Sequence, residues 1–302
     1  MSKKAREIIP IIVFFIALLI GLIFFFKPEL FNLIVPLDPP SSTPVEGQMQ
    51  VHVIDVGQGD AILLTTPDGN MLIDAGDNIE KYEQALKNYL NALNIKTLDY
   101  FVLTHSHADH IGGADMILKN YTVKTVIMPD KAATSGVYES VLDALEENGA
   151  DLMLAEQGQT FSLGALNCKI LAPLKEYSDA NDMSIVLRAT FGEVSMMFTG
   201  DAEGNEEGHS EKDIVAKYPA SELKCDFLKV GHHGSDTSTS PAFLKAVSPK
   251  IAAISCGTGN KYGHPVQSTL DALSAAGVKT YRTDLSGSLV FVCDGKTIEY
   301  QE

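Results

Sequence analysis

The hydrophobic pattern divides the chain into one uniform run followed by a long series of short, alternating ones. The uniform run, "IIPIIVFFIALLIGLIFFF" from Ile8 to Phe26, is uncharged and follows three basic residues, Lys3, Lys4 and Arg6. Nineteen residues at about 1.5 Å each would span roughly 28 Å, close to the hydrocarbon thickness of a bilayer. A cleaved signal peptide would have a shorter apolar region ending at a small-residue site. Here "KPELFNLIVPL" follows instead. The pattern therefore predicts an uncleaved signal anchor, a transmembrane helix within residues 1–27. The basic flank places its amino terminus in the cytoplasm and the rest of the chain outside the cell membrane. "PLDPPSSTPVEG" has no apolar period and reads as a semi-rigid tether, closing a linker over residues 28–47.

Beyond the tether, residues 48–302 keep one compositional texture and are assigned to one domain. "QVHVIDVG", "AILLTT" and "NMLIDAG" predict strands, the first two separated by the turn "GQGD". "NIEKYEQALKNYLNAL" repeats apolar residues at three and four and predicts an amphipathic helix. "LDYFVLT" predicts a strand ending at "HSHADH", and "DHIGGADMILKN" a short helix. The second half has the same rhythm. "VKTVIMP", "FSLGALNCKILAP", "MSIVLRATFG", "VSMMFTGD", "CDFLKV" and "KIAAISCG" predict strands, while "GVYESVLDALEENG", "SPAFLKAV" and "PVQSTLDALSAAG" predict helices. "TYRTDLSGSLVFVCDGKTIEY" closes with strands. Two halves of mixed strands and helices predict stacked sheets covered by helices, an α/β class.

Composition changes this picture in two places. The net charge of −16 argues against broad polyanion binding, yet Lys229 to Arg282 holds six basic residues against two acidic ones. That local excess suggests a field that draws an anion, whereas "DAEGNEEGHSEKD" is acidic. Cys168, Cys225, Cys256 and Cys293 lack metal-ligand spacing; each lies in or beside an apolar segment, as a buried thiol or one half of a disulfide.

The chemistry concentrates in "HSHADH". Of eight histidines in the chain, His105, His107 and His110 fall within six positions, with Asp109 among them. If the chain is still extended there, His105 and His107 point to one side. Imidazole and carboxylate donors suit Zn²⁺, Mn²⁺ or Fe better than Mg²⁺ or Ca²⁺. A structural zinc site would more often use cysteine and close its shell. Asp201 at the end of "MMFTGD", and His232 and His233 in "KVGHHGS", extend the set on other strand ends.

Together these segments resemble the metallo-β-lactamase superfamily, and within it the nuclease-like domain of ComEC-type competence proteins. The resemblance rests on "VIDVGQGDAILL", "LIDAG", "THSHADHIGG", "NDMSIVLR", "FTGDAE", "LKVGHHGS" and "NKYGHP", in that order over about residues 51–287. It implies a four-layer αββα sandwich and two divalent metal ions, Zn or Mn. His105, His107 and the bridging Asp201 would hold one ion; Asp109, His110, Asp201 and His233 would hold the other. His232 would face substrate, and Asp109, His232 and His264 would form the catalytic set. In the alternative assignment His264 is the ligand and His233 the proton donor. Asp74 would orient a ligand histidine. The sequence departs from many superfamily hydrolases in having no histidine between 111 and 200, so that Asn181, Asp182 or Ser184 would fill or flank that position.

The resemblance implies a membrane-tethered extracellular phosphodiesterase or DNA nuclease, working with DNA-uptake proteins. Lys261 and His264 of "GNKYGHP" would contact phosphate or protonate the leaving oxygen. Tyr262 has two readings, stacking on a base or packing. One apolar run cannot form a DNA channel by itself. The alternatives are hydrolysis of a small cell-surface phosphodiester, a lactam or a lactone and, in a different class, a metal-binding interaction module without catalysis.

Overall fold

The computed structural model describes residues 44–301. The expected anchor over residues 1–27 and most of the expected tether over 28–47 lie outside the described residues. Among those described, no helix is long and apolar enough to cross a membrane.

Side chains alternating between two buried faces build two sheets that face each other. The first runs β15 (Ile298–Tyr300), β14 (Leu289–Cys293), β1 (Met49–Val53), β2 (Ile62–Thr66), β3 (Gly69–Ile73), β4 (Thr97–Val102), β5 (Thr122–Pro129), β6 (Asp151–Ala155). The second runs β13 (Lys279–Arg282), β12 (Ile251–Ile254), β11 (Phe227–Lys229), β10 (Val194–Phe198), β9 (Val186–Phe191), β8 (Leu166–Ala172), β7 (Thr160–Leu163). Met49, Val51 and Val53 of β1 meet Leu187, Phe198, Phe227 and Phe291 in the core between the sheets. The alternate residue His52 points outward and reaches Tyr89. Likewise Ile62 and Leu64 face the other sheet, while Leu63 and Leu72 face the covering helices.

Helices α1 (Glu80–Ala92), α2 (Ala108–Ile111), α3 (Ala114–Asn120) and α4 (Gly136–Asn148) cover the first sheet through Leu86, Leu90, Ile117 and Val141. Helices α5 (Ser210–Lys217), α6 (Ala220–Leu223), α7 (Pro241–Val247) and α8 (Gln267–Ala275) cover the second through Ile214, Leu223, Phe243 and Leu273. A last turn, α9 (Thr283–Ser286), precedes β14. The result is the αββα order that the family resemblance implies. Local chemistry sets the ends: Ser135 caps α4 by accepting from the Tyr138 N–H, and Gly149 stops it in the left-handed region. Ser240 caps α7 in the same way, ahead of Pro241.

Three features differ from the sequence reading. The final hairpin β14–β15 joins the first sheet by pairing β14 antiparallel with β1, so the halves are not self-contained. The short helix expected within 109–120 is two, separated where Gly113 leaves the helical region (φ −87°, ψ 4°), and the chain there packs so closely on Asp77–Asn78 that a Cβ on Gly112 would come within 2.2 Å of the Asn78 nitrogen. The chain is also not extended through His107. Strand β4 ends at Val102, and the Thr104 N–H and hydroxyl both bond Asp74 instead of continuing the ladder. All four cysteines are free and buried, which removes the disulfide alternative.

Strands β3, β4 and β5 are mutually parallel, as are β10, β11 and β12. The loops that leave their carboxyl ends carry the histidines and aspartates.

Candidate metal centre

Asp74, directly after β3, is fully buried with φ of +58°, a left-handed conformation that its short side chain tolerates. Its carboxylate accepts from the Thr104 N–H at 2.7 Å and the Thr104 hydroxyl at 2.7 Å, and lies 2.7 Å from His110 Nδ1. That pairing turns His110 Nε2 inward, 3.2 Å from Asp201 Oδ1. From the second sheet, the "GHHG" turn after β11 holds His232 at φ +48° and His233 at φ +55°. Such strained backbone costs on the order of 1–3 kcal/mol per residue and is retained where function needs the side chain so placed. His233 Nδ1 lies 3.0 Å from the Ser255 carbonyl and 3.3 Å from Asp60 Oδ1. Its Nε2 then faces Asp109 Oδ2 at 3.3 Å and Asp201 Oδ2 at 3.8 Å.

Asp109, His110, Asp201 and His233 thus each offer a donor atom, all within 4.8 Å of one another. His110 Nε2, Asp201 Oδ1 and His233 Nε2 are buried, and apart from contacts among these four residues they meet no hydrogen-bonding partner. A buried polar atom without a partner costs about 1–3 kcal/mol. Three of them facing one point fit a cation, and mixed nitrogen and oxygen donors fit a divalent transition ion. His105 and His107 lie outside this group. His105 Nε2 is 4.0 Å from Asp201 Oδ2 and 3.1 Å from His107 Nδ1, so His105 lies near the same aspartate and His107 lies against His105.

Electrostatics follow from burial and proximity. Burial alone would raise the Asp201 carboxyl, but His110 and His233 hold it well below the usual range. Burial would lower His233, yet Asp201, Asp109 and Asp60 bring it up to about 9. Burial and the neighbouring His110 both push His105 well down. Cation binding at His233 must therefore release a proton.

His232 sits at the rim, with Nε2 3.7 Å from Asp201 Oδ2 and Nδ1 3.0 Å from the Thr237 hydroxyl. The His264 ring lies 5.6 Å from that of His232 and 6.5 Å from that of His233, so the geometry groups His233 rather than His264 with Asp109, His110 and Asp201. Lys261 is exposed, with Nζ 5.0 Å from the centre of the Tyr262 ring. Of the three residues considered for the missing histidine, Ser184 alone touches the centre: its hydroxyl accepts from the Asp201 N–H and lies 3.3 Å from His105 Nδ1. Asp182 instead accepts from the Ser210 N–H and hydroxyl and the Glu203 N–H, and pairs with His209. Asn181 donates to Glu203.

Sequence reasoning missed Asp60, Lys229 and Glu203. Asp60 and Lys229 form a fully buried ion pair at 2.8 Å directly behind His233. The signal was present, since a lysine inside the apolar strand "FLKV" needs a buried partner. Glu203 Oε1 lies 3.4 Å from His232 Nδ1 but sits in a stretch whose acidity reads as solvated. The expected anion-drawing field also needs correction. Lys229, Lys250 and Arg282 are paired with Asp60, Asp226 and Asp284, all outside the counted segment.

A profile of the metallo-β-lactamase superfamily matches residues 54–160. The chain is 35% identical over 259 residues to ComE operon protein 3 of Bacillus subtilis, covering 80% of this chain and 33% of that protein. It is 33% identical over 253 residues to competence protein ComA of Neisseria gonorrhoeae, covering 83% of this chain and 33% of that protein. The chain thus spans about a third of the length of these curated relatives. Among solved structures, the metallo-β-lactamase fold protein YhfI of Bacillus subtilis matches with a TM-score of 0.54 at 14% identity, over 82% of this chain and 99% of that one. The fold and the site together define a metal-dependent hydrolase domain with a candidate divalent metal centre. The chain carries a metallo-β-lactamase superfamily domain, homologous to a segment of competence proteins.

Proposed function

We propose that this domain is a dinuclear metal-dependent phosphodiesterase, acting on DNA as a nuclease. The observation that carries the reading is the convergence of buried donors on Asp201, with His110 Nε2 3.2 Å and His233 Nε2 3.8 Å from its carboxylate in one group and His105 Nε2 4.0 Å from it outside that group. His105, His107 and Asp201 are proposed to hold one ion, and Asp109, His110, Asp201 and His233 the other, as Zn²⁺ or Mn²⁺. The ions, when bound, supply Lewis acidity that activates water and neutralises charge on the phosphoryl oxygens.

The chain's own residues do the rest. Asp74 on one side, and Ser255 with Asp60 on the other, fix the Nδ1 edges of His110 and His233, so no reorganisation is needed to present Nε2. His232, held through Nδ1 by Thr237 and close to Glu203, is placed to give a proton from Nε2 to the leaving oxygen. His264 and Lys261 on the neighbouring loop are assigned to phosphate contact. The likeness to competence proteins supports DNA and DNA-uptake proteins as partners, and the apolar run Ile8–Phe26 supports a membrane tether with the domain outside. The pairing of Lys229, Lys250 and Arg282 with acids favours a second reading, a small phosphodiester with little need of an extended basic track.

The test uses the full chain, with its metal content measured, assayed against single- and double-stranded DNA and bis-p-nitrophenyl phosphate with Mn²⁺ or Zn²⁺. DNA cleavage that falls by about 100-fold or more in Asp109→Ala supports the nuclease reading. Cleavage of the small diester alone supports the second reading. Turnover of neither defeats phosphodiester chemistry and moves the search to lactams and lactones.

A further inference from the structure

The loop between β12 and α8 carries an aromatic ring that the fold leaves in solvent. Tyr262 is 56% exposed, in a domain whose other aromatics mostly line the cores. The loop beneath it is nevertheless fixed. Asn260 accepts from the Tyr262 N–H at 3.1 Å and the His264 N–H at 3.0 Å, and donates to the carbonyls of Gly257 and His264. The Tyr262 ring lies nearly parallel to that of His264, 5.7 Å between centres and 24° between planes. His264 in turn faces the rings of His232 and His233 at the rim of the metal centre. An exposed ring on a pinned loop loses little freedom on binding, and it stands two ring contacts from a proposed metal ligand.

Resting on the phosphodiesterase reading above, we infer that Tyr262 is a stacking platform for one base of a single strand of DNA, next to the phosphodiester at the metal centre. Every base presents a π-face, so such a platform tolerates any sequence. A base pair inside a duplex keeps its faces covered, so the platform selects single strands over intact duplex. The exposed Lys261 ammonium, 5.0 Å from the ring, is the natural companion. An exposed cation–π contact is weaker than a base stack, so the arriving base displaces the ammonium, which then meets the strand's phosphate.

The test is equilibrium binding by fluorescence anisotropy, on the full chain without added metal. The probes are a labelled oligothymidylate and an abasic strand of equal length. The wild-type chain should bind the base-bearing strand about tenfold more tightly, the scale of one stacked base. Tyr262→Ala should bring that ratio to within about twofold of unity, while Tyr262→Phe and Tyr262→Trp keep it. Lys261→Ala should weaken both strands alike. Equal binding of the two strands by the wild type, or an unchanged ratio in Tyr262→Ala, overturns the inference. Because no turnover is needed, a base preference in a chain that, supplied with Mn²⁺ or Zn²⁺, cleaves neither DNA nor bis-p-nitrophenyl phosphate would sink the phosphodiesterase reading and leave the platform standing. Turnover without a base preference would do the reverse.

Discussion

At the scale of single residues, the centre depends on groups that never face the substrate. Asp74 holds His110 by one carboxylate oxygen while tying Thr104 with both. Asp74→Asn suits the left-handed backbone but offers an amide where His110 needs a carboxylate. Metal affinity should fall about 10- to 100-fold, read by competition with a chelator, with the far-ultraviolet circular dichroism unchanged. Lys229 is a harsher case, because its ammonium and the Asp60 carboxylate are both buried. Lys229→Met leaves the buried Asp60 carboxylate with His233 as its remaining partner, at a cost of up to about 3–5 kcal/mol in denaturant unfolding. Adding Asp60→Asn should return part of that loss; no return would mean that the lysine acts through packing alone. These two positions also mark what the sequence conceals. The spacing of "HSHADH" exposes its own chemistry, and Asp74 is legible through "LIDAG". Asp60 and Lys229 lie 169 positions apart, and only the meeting of the β1–β2 loop with β11 joins them.

At the scale of elements, periodicity was informative for helices with one buried face, and short apolar runs for strands buried on both faces, as β1, β2 and β10 are. The strand β2, the β9–β10 hairpin and helices α1, α4, α7 and α8 fall within the segments whose patterns predict them, and β1, β3, β4 and β5 start one residue earlier than theirs. Strand β6 was not legible, because as an edge strand it leaves Asp151, Leu152 and Leu154 exposed and has no buried alternation. Helix α5 was obscured by the acidity of "EEGHSEKD", although Ser210, Glu211 and Ile214 form its buried face. The packing of β1 on α1 carries a prediction of its own. His52 is buried against Tyr89, and burial lowers it to about 3, far below its ordinary value near 6.5. A lowered folded-state value means that the neutral form is the stable one. Its contribution is complete above pH 6.5 and is lost as pH falls toward 3. Between pH 7 and pH 5 this group alone should cost about 2 kcal/mol. Replacing it in His52→Leu should flatten the stability profile over that interval; an unchanged slope relative to wild type would assign the acid sensitivity elsewhere.

At the scale of the whole molecule, the centre is a joint between two sheets. Asp109 and His110 follow β4 of the first sheet, whereas Asp201 and His233 follow β10 and β11 of the second. The inter-sheet core of Phe198, Phe227 and Phe291 holds these layers together without help from any ion. At their carboxyl ends, however, the facing groups include the carboxylates of Asp109 and Asp201, which the histidines compensate only while protonated. A bound divalent cation replaces those protons and ties three loops from both sheets. Ligand linkage at 100 to 1,000 times the dissociation constant stabilises by about 2.7–4.1 kcal/mol. For a domain of this size that corresponds to a rise of about 5–16 °C in Tm. Chelation of the metal-loaded chain should therefore lower Tm by that amount, and added Mn²⁺ or Zn²⁺ should restore it. In His110→Ala or His233→Ala, each of which removes one donor from the shared group, most of the metal-dependent shift should disappear. A Tm indifferent to chelation in a chain shown to contain metal would place the ion outside this joint.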